Sequence, residues 1–599
     1  MILIFGGTTE GRLAAEVCEQ AGSPFYYSTL GEHQQVPLVH GTRLSGNLTA
    51  ADMRRFCHEH HIRLIVDASH PFAEGLHRHI AQTGLPVVRV QRDRIGTGPA
   101  AATPAHGVVR CTDFDDALHR LEAAAPRCLL ALTGVNTIAR LKPYWQRHDT
   151  RFRILHRAES IAHATACGFP AQQLLFYADG AALPTAQQEQ QLMQEVGCDA
   201  VITKESGTSG GLQAKVEAAL ALGLDIYVVA APDYARLFPP SATLRFVTGR
   251  HTLRRAIEQL LPGFFPLRTG LTTGTCATAA VKAALLGLMG HDEKAVDVAL
   301  PDGETVQVGI DAVRVQRDGA WAEADVTKDF SDDPDVTRGC RITARVALGS
   351  KHTGSVRFLQ GEGVGRVTLP GLGIDVGEPA INPVPRRMIT AELHALTRAD
   401  ADITLAVEGG KALAERTFNS RVGVVDGISI IGSSGIVSPL SNEAFIQSIG
   451  RELEVAKAIG CTSIGFASGK QGETALLAAE PSLHVVHYGN FIGQALSRAH
   501  ALGFERAVLG IMVGKAVKLA EGHLDTHSHK VQMNKDFLAS VARSAGVADA
   551  DAILAGVVMA RELWGVMPKA FFQALQARCY EHCRTVFPTG QLEVRIIET

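Results

Sequence analysis

The sequence predicts an α/β N-terminal half of two Rossmann-like lobes with parallel sheets, joined to an α+β C-terminal half. In that second half an antiparallel, β-rich part precedes an α/β, nucleotide-binding-like part. Three observations carry this reading. Short apolar runs alternate with helical patterns as far as residue 250, the signature of parallel strands with crossover helices. Between 296 and 368 apolar residues recur at every second position, as in half-buried antiparallel strands. From Ile428 onward the strand–helix alternation returns.

A chain of 599 residues is too long for one hydrophobic core, and about 150 residues per domain gives roughly four compact units. Its formal net charge of −3 supplies no basic face for general nucleic-acid binding, though a local basic pocket for an acidic small molecule remains open. The N-terminal MILIFGG enters an apolar strand without a basic lead, so no signal peptide is expected. No apolar run reaches the ~18 residues that a membrane span requires. The 11 cysteines are dispersed and form no CxxC pair, which points to reduced thiols and a cytoplasmic setting. Cys579 and Cys583 are too isolated for a zinc site.

In the first lobe the expected elements are strand Ile2–Phe5, helix Leu13–Gln20, and strands Phe25–Ser28, Leu64–Ala68 and Val87–Val90. The second lobe follows with Cys128–Leu132, Leu174–Tyr177, Ala200–Thr203 and Ile226–Ala230. The lobes, about 1–110 and 111–250, divide where Gly96-Thr97-Gly98-Pro99 and an alanine-rich run break the pattern. The prolines and glycines of LLPGFFPLRTG mark 251–267 as a linker before a second half at 268–599. There Val306, Val308, Ile310, Val356 and Phe358 set the period-two part. Ile428–Ile431 is the next expected strand, followed by a helix near Asn442–Ile459 with Ser441 as N-cap, Glu443 in its first turn and Gly460 at its end. Strand Ser463–Ala467, strand Val485–Tyr488, a helix near Phe491–Ala501 and strand Ala507–Met512 complete the series.

Chemistry concentrates at the strand ends. Gly6, Gly7, Thr8, Thr9, Gly11 and Arg12 follow the first strand and open a helix, whose N-terminal N–H groups suit a pyrophosphate. The adjacent glycines depart from GxGxxG, and no acid closes the second strand to bind a ribose hydroxyl. NADH and NADPH therefore both remain open, with Arg43 a candidate for a 2′-phosphate. Asp67 and His70, in DASHPFA, could relay a proton. The alternative is a helix cap with Pro71 at the first helical position, which spacing alone favours. Lys204, in TKESG, could hold an anion or simply be a solvated lysine.

The stretch from Asn419 to Leu440 packs two glycine turns around a β-branched run. Its glycines admit a ligand close to the backbone, and its serines offer hydroxyls. An ordinary strand-to-helix turn is the plainer alternative. His523, His527 and His529 share a short window but lack a cysteine or a helical register, so no metal site is expected and a polar loop near substrate is the better reading.

GGTTEGR, DASHPFA, LTGVNT at 132–137 and TKESG at 203–207 resemble precorrin-6A reductases over about residues 1–250, with SHPFA in place of the commoner THPFA. The second half is similar to the cobalt-precorrin-5B (C(1))-methyltransferase family from residue 268 onward. The carrying segments are RTGLTTGTCA at 268–277, LPGLGIDVGEPAINPVPRRMI at 369–389, VEGGKALAERTFNSRVGVVDGISIIGSSGIVSPLS at 407–441 and GKAVKLAEGHLDTHS at 514–528. These resemblances imply a bifunctional enzyme of corrin biosynthesis using S-adenosyl-L-methionine and NADH or NADPH. They imply corrinoid small molecules as partners, neither nucleic acid nor membrane, with a homo-oligomer left open. On that basis Asn419, Arg421, Gly432, Ser433, Ser434, Gly435 and Ile436 are the expected donor site. Ser206, Arg386, Arg387 and Lys411 are candidates for substrate carboxylates, where a solvated basic face is the alternative. Asp67, His70 and Lys204 are the candidates for proton supply, and a bound water is the other source considered. Two rival readings are an unrelated dehydrogenase–methyltransferase fusion and a tetrapyrrole-binding protein with one inactive half.

Overall fold

A computed structural model describes residues 1–31, 36–91, 107–177, 183–205, 210–317, 319–439, 441–527 and 533–598. The chain divides into two compact units, Met1–Pro266 and Leu267–Thr599.

The first unit holds two six-stranded sheets. Across the first run Leu244–Val247, Val87–Val90, Leu64–Asp67, Ile2–Phe5, Phe25–Thr29 and Gly41–Ser45, every pair parallel. Ile2, Leu3 and Ile4 are fully buried, so both faces of this central strand are covered, as a continuous apolar run in a parallel sheet demands. The second sheet runs Val108–Cys111, Asp225–Val229, Ala200–Lys204, Cys128–Ala131, Asp149–Leu155 and Leu174–Tyr177, again wholly parallel.

Three expectations are corrected here. The first lobe does not end near residue 110, because strand Leu244–Val247 returns to its sheet beside Val87–Val90. Much of the expected linker is helix Gly249–Leu260, which buries Leu253, Ala256 and Ile257 in the first lobe's core. Pro71 does not open a helix either: it lies in a turn, and the helix is Glu74–Ala81. The Gly96–Pro99 break lies outside the described residues.

In the second unit, the hairpin Ala295–Ala299 and Thr305–Gly309 accompanies a five-stranded sheet. That sheet orders Ala312–Val315, Ala322–Thr327, Arg341–Leu348, Ala401–Val407 and Val356–Gln360, antiparallel except for its last, parallel pair. Helix Thr273–Leu288 is buried along nearly its whole length, its small alanines and glycines allowing close packing all round. A four-stranded parallel sheet follows, ordered Val485–His487, Ser463–Ala467, Arg506–Met512 and Gln591–Ile597. Helix Asn442–Ala458 has Ser441 as its cap, accepting from the Ala444 N–H, as expected.

Ile428–Ile431 is not a strand of that parallel sheet. Ile428 and Ile430 make isolated parallel bridges to Val364 and Ile381, and belong to the core around the buried helix. The glycine turn after them leads into the two-residue strand Ile436–Val437, antiparallel to Gly270–Leu271. No described helix is long and apolar enough to cross a membrane. All 11 cysteines are unpaired.

Candidate active-site cleft and the methyltransferase turn

In the first unit, register brings several strand ends to one edge. Phe5 pairs with Ser28 on one side and Asp67 on the other, so the glycine turn, the end of the second strand and the DASH turn are neighbours. They wall a cleft of about 1140 Å³ whose opposite wall comes from the second sheet. Gly6, Gly7, Thr8 and Arg12 lie on one side, with Asn136, Thr137 and Lys204 on the other. Thr8 caps helix Thr9–Glu19: its hydroxyl accepts from the Gly11 N–H at 3.0 Å and donates to the Ala68 carbonyl at 2.6 Å. Gly7 has φ +90°, and an added Cβ would meet nothing within 4 Å. This turn therefore combines left-handed backbone with open space, a fit for a phosphate approaching the helix N-terminus. Arg43, on strand Gly41–Ser45 opposite Tyr27, contributes positive charge beside the Tyr27 hydroxyl at the same turn.

Among the described residues, four basic side chains, Arg12, Arg140, Arg157 and Lys204, line the cleft against two acidic ones, Glu74 and Glu159, which suits anionic ligands. Arg140 meets Glu74 at 3.0 Å, an ion pair joining the two lobes. Lys204 lies 5.2 Å over the Phe72 ring. His70 lines the cleft, and its Nδ1 accepts from the Phe72 N–H at 3.2 Å.

His70 and Lys204 thus share one cleft, but Asp67 is no proton donor to it. Its side chain is fully buried, 2.8 Å from Arg89, and accepts from the Ser69 hydroxyl at 2.6 Å and the Ser69 N–H at 3.0 Å. Burial pushes its carboxyl up, yet Arg89 above all, then His77 and Ser69, outweigh that and hold it below the ordinary carboxylate range. A carboxylate so held stays ionised. Burial draws the neighbouring His77 down to about 4, against the pull of Asp67. Ser206 lies outside the described residues. Arg140, Arg157, Arg89 and His77 carry no signal in the sequence, since they sit outside the glycine turns, whereas Asn136 and Thr137 fall inside LTGVNT.

In the second unit, Gly432–Ile436 is fastened to the N-terminus of helix Thr273–Leu288. Gly274 N–H donates to the Ile431 carbonyl at 2.8 Å, Thr272 N–H to the Gly435 carbonyl at 3.1 Å, and the Thr275 hydroxyl to the same carbonyl at 2.7 Å. RTGLTTGTCA and GSSGIV are therefore one structure. Gly435, at φ +82°, would place a Cβ 2.5 Å from Leu300, and Gly432 lies tightly against Thr272. These glycines serve protein packing, and the exposed rim is Ile431, Ser433 and Ser434. Ser433 donates to Gln447 Oε1 at 3.1 Å.

The other expected residues fall as follows. Asn419 braces its own loop, donating to the Gly427 carbonyl at 3.1 Å. Arg421 is engaged by Glu452 at 3.3 Å and Glu473 at 3.1 Å, and donates to the Val485 carbonyl at 2.6 Å. Arg386 turns inward to the Ile381 and Pro379 carbonyls and over Phe358, so it is not a solvated cation awaiting substrate. Arg387 and Lys411 are exposed, the latter 3.5 Å from Asp426. His523 lies 3.8 Å from Glu521, the His527 N–H donates to Asp525, and His529 lies outside the described residues.

A glycine turn and a helix N-terminus at the carboxyl edge of a parallel sheet, facing a second parallel sheet across a cleft, define a two-lobed class of α/β protein with its ligand crevice at the strand ends. The precorrin-6x reductase CbiJ/CobK family model matches residues 1–248, and the CbiD family model matches residues 263–439. A cobalt-precorrin-5B C(1)-methyltransferase of Prosthecochloris aestuarii is 44% identical over 55% of this chain and 92% of its own length. Another, from Burkholderia multivorans, is 45% identical over 48% of this chain and 80% of its own. A solved CobK precorrin-6A reductase aligns at 20% identity and TM-score 0.34, covering 43% of this chain and 97% of that one. The chain belongs to the CbiD family, with a CbiJ/CobK-type half before it, and is a bifunctional enzyme of cobalamin biosynthesis.

Proposed function

We propose that the chain performs two consecutive steps. The second unit methylates cobalt-precorrin-5B at C(1), giving cobalt-precorrin-6A, with S-adenosylmethionine as donor. The first unit then reduces that product to cobalt-precorrin-6B with NADH or NADPH. When bound, the sulfonium supplies a methyl group and the nicotinamide a hydride. The observation that best supports the reduction is the shared cleft, with Gly6–Thr8 on one wall and His70 and Lys204 within reach.

Gly6, Gly7, Thr8, Thr9, Gly11 and Arg12 hold the pyrophosphate at the helix N-terminus, and Arg43 answers a 2′-phosphate. His70 as its imidazolium, or Lys204 as its ammonium, protonates the ring carbon beside the one receiving hydride. In the second unit the Ser433 and Ser434 rim meets the donor, while Asn419 and Arg421 brace the loop behind it. Arg387 and Lys411 take substrate carboxylates. Alignment of the reacting atoms supplies most of the acceleration in the methyl transfer. A cytoplasmic setting agrees with the unpaired cysteines.

The test is incubation of the full chain with cobalt-precorrin-5B, omitting each cofactor in turn, with products read by mass spectrometry. Donor alone should add one methyl group, and donor with nicotinamide should add two further hydrogens. Nicotinamide alone should leave the substrate unchanged. A substrate of unaltered mass under all conditions refutes the reading.

A further inference from the structure

Beneath the Ser69–His70 wall of the cleft lies a polar knot that the proposed reduction leaves without a role. Asp67, Ser69, His77 and Arg89 are each no more than 6% exposed. Arg89 arises from the neighbouring strand Val87–Val90, and one guanidinium nitrogen, NH1, reaches three atoms of the turn. It lies 2.8 Å from the Asp67 carboxylate, 3.3 Å from the Asp67 carbonyl and 3.4 Å from the Ser69 hydroxyl. His77 Nε2, from helix Glu74–Ala81, stands 3.2 Å from the Ser69 hydroxyl and 3.7 Å from Asp67. The Tyr234 ring closes the knot, 4.8 Å from the His77 ring and beneath Arg89 at 5.1 Å.

A buried ion pair is a poor source of stability, since desolvating both charges cancels much of their attraction. What such a pair supplies is a fixed geometry. Here every bond converges on the turn, which is further tied by Phe72 N–H to His70 Nδ1 and Ala73 N–H to the His70 carbonyl. We propose that Arg89 is a positioning residue for the reduction, the buried post that fixes the Asp67–Ala73 turn and so holds His70 at the cleft wall. This rests on the reductase reading of the cleft. The groups facing Asp67 are Arg89, His77, Ser69 and Tyr234, and of these only Arg89 is a permanent cation. Without it, burial raises the Asp67 carboxyl toward neutrality, and the turn loses its acceptor as pH falls.

The experiment compares Arg89→Gln and Arg89→Lys in the full chain, with methylation on the same chain as a control. Arg89→Gln should lower kcat for reduction about 10- to 100-fold, since small misplacements near the chemistry cost that much. Its KM for nicotinamide should stay within about twofold, because the glycine turn is untouched. Its rate should also climb with pH between about 5 and 8, a limb absent from the wild type. Arg89→Lys should restore most of kcat and remove the limb. An unchanged kcat, or a fall that merely tracks the folded fraction by circular dichroism with the pH profile unaltered, overturns the proposal. If Arg89→Gln does not fold, Ser69→Ala decides: lowered kcat with unchanged nicotinamide KM supports it, and wild-type kcat overturns it. A wild-type chain that reduces nothing refutes the reductase reading instead.

Discussion

Two glycine turns in this chain are spelled alike and do opposite work. Gly6-Gly7 opens onto a cleft, and Gly7 combines a positive φ with empty space beyond its Cα. Ile431–Gly435 is clasped by hydrogen bonds to the start of a buried helix, and Leu300 fills the space a side chain at Gly435 would need. The first turn is open for a ligand. The second is closed by the protein itself, and its rim of Ile431, Ser433 and Ser434 faces outward. A glycine-rich string therefore indicates close approach without saying what approaches. That depends on whether the turn stands free at the carboxyl end of a parallel sheet or is packed against a neighbouring helix.

The sharpest way to break this contrast is Gly435→Val. A Cβ at 2.5 Å from Leu300, on left-handed backbone, cannot be accommodated without moving the core. The second unit should lose about 3 kcal/mol or more of stability by overpacking and strain, with methylation lost and reduction retained. Unfolding midpoints in urea, read beside both activities, check it. If stability is unchanged and only the S-adenosylmethionine KM rises, the turn is a ligand seat and the contrast fails.

Gly7→Ala should behave in the opposite manner. Its backbone penalty is only about 1 kcal/mol, since nothing crowds the new methyl. The nicotinamide KM should nonetheless rise about tenfold as the methyl enters the space beside the helix N-terminus. Steady-state reduction kinetics decide this, and an unchanged KM would remove the turn from the cofactor site.

Acid distinguishes the units as well. His77 is held neutral in the folded chain, with its pKa drawn to about 4, against about 6.5 when unfolded. Between those values the unfolded state binds the extra proton, so stability contributed by this site falls as pH drops from about 6.5 toward 4. The first unit's urea midpoint should decline over that window, and His77→Asn should flatten the decline. An equally steep decline in the variant would assign the sensitivity elsewhere.

Much of the first unit was legible because each parallel strand is buried on both faces and so appears as an uninterrupted apolar run. The four motif segments fell at strand ends for the same reason, and the Asn442 helix declared itself through Ser441 and Gly460. What misled was local. Ile428–Ile431 has a strand's composition, yet its bridges go to two separate segments, a tertiary arrangement no window can display. Asp67 and His70, three residues apart, differ in burial because one ends a central strand and the other begins the turn above it. The chain's return to the first sheet at Leu244–Val247 depends on pairing with a strand more than 150 residues earlier, a register that sequence spacing does not encode.

That return has a consequence for how the molecule is made. Val87–Val90 emerges from the ribosome with one edge unpaired, and its partner follows only after the entire second sheet has been synthesised. Until then an apolar, hydrogen-bond-hungry border stays open to wrong partners. Vectorial synthesis therefore completes the second lobe before the first, and the lobe that begins the chain is the one finished last.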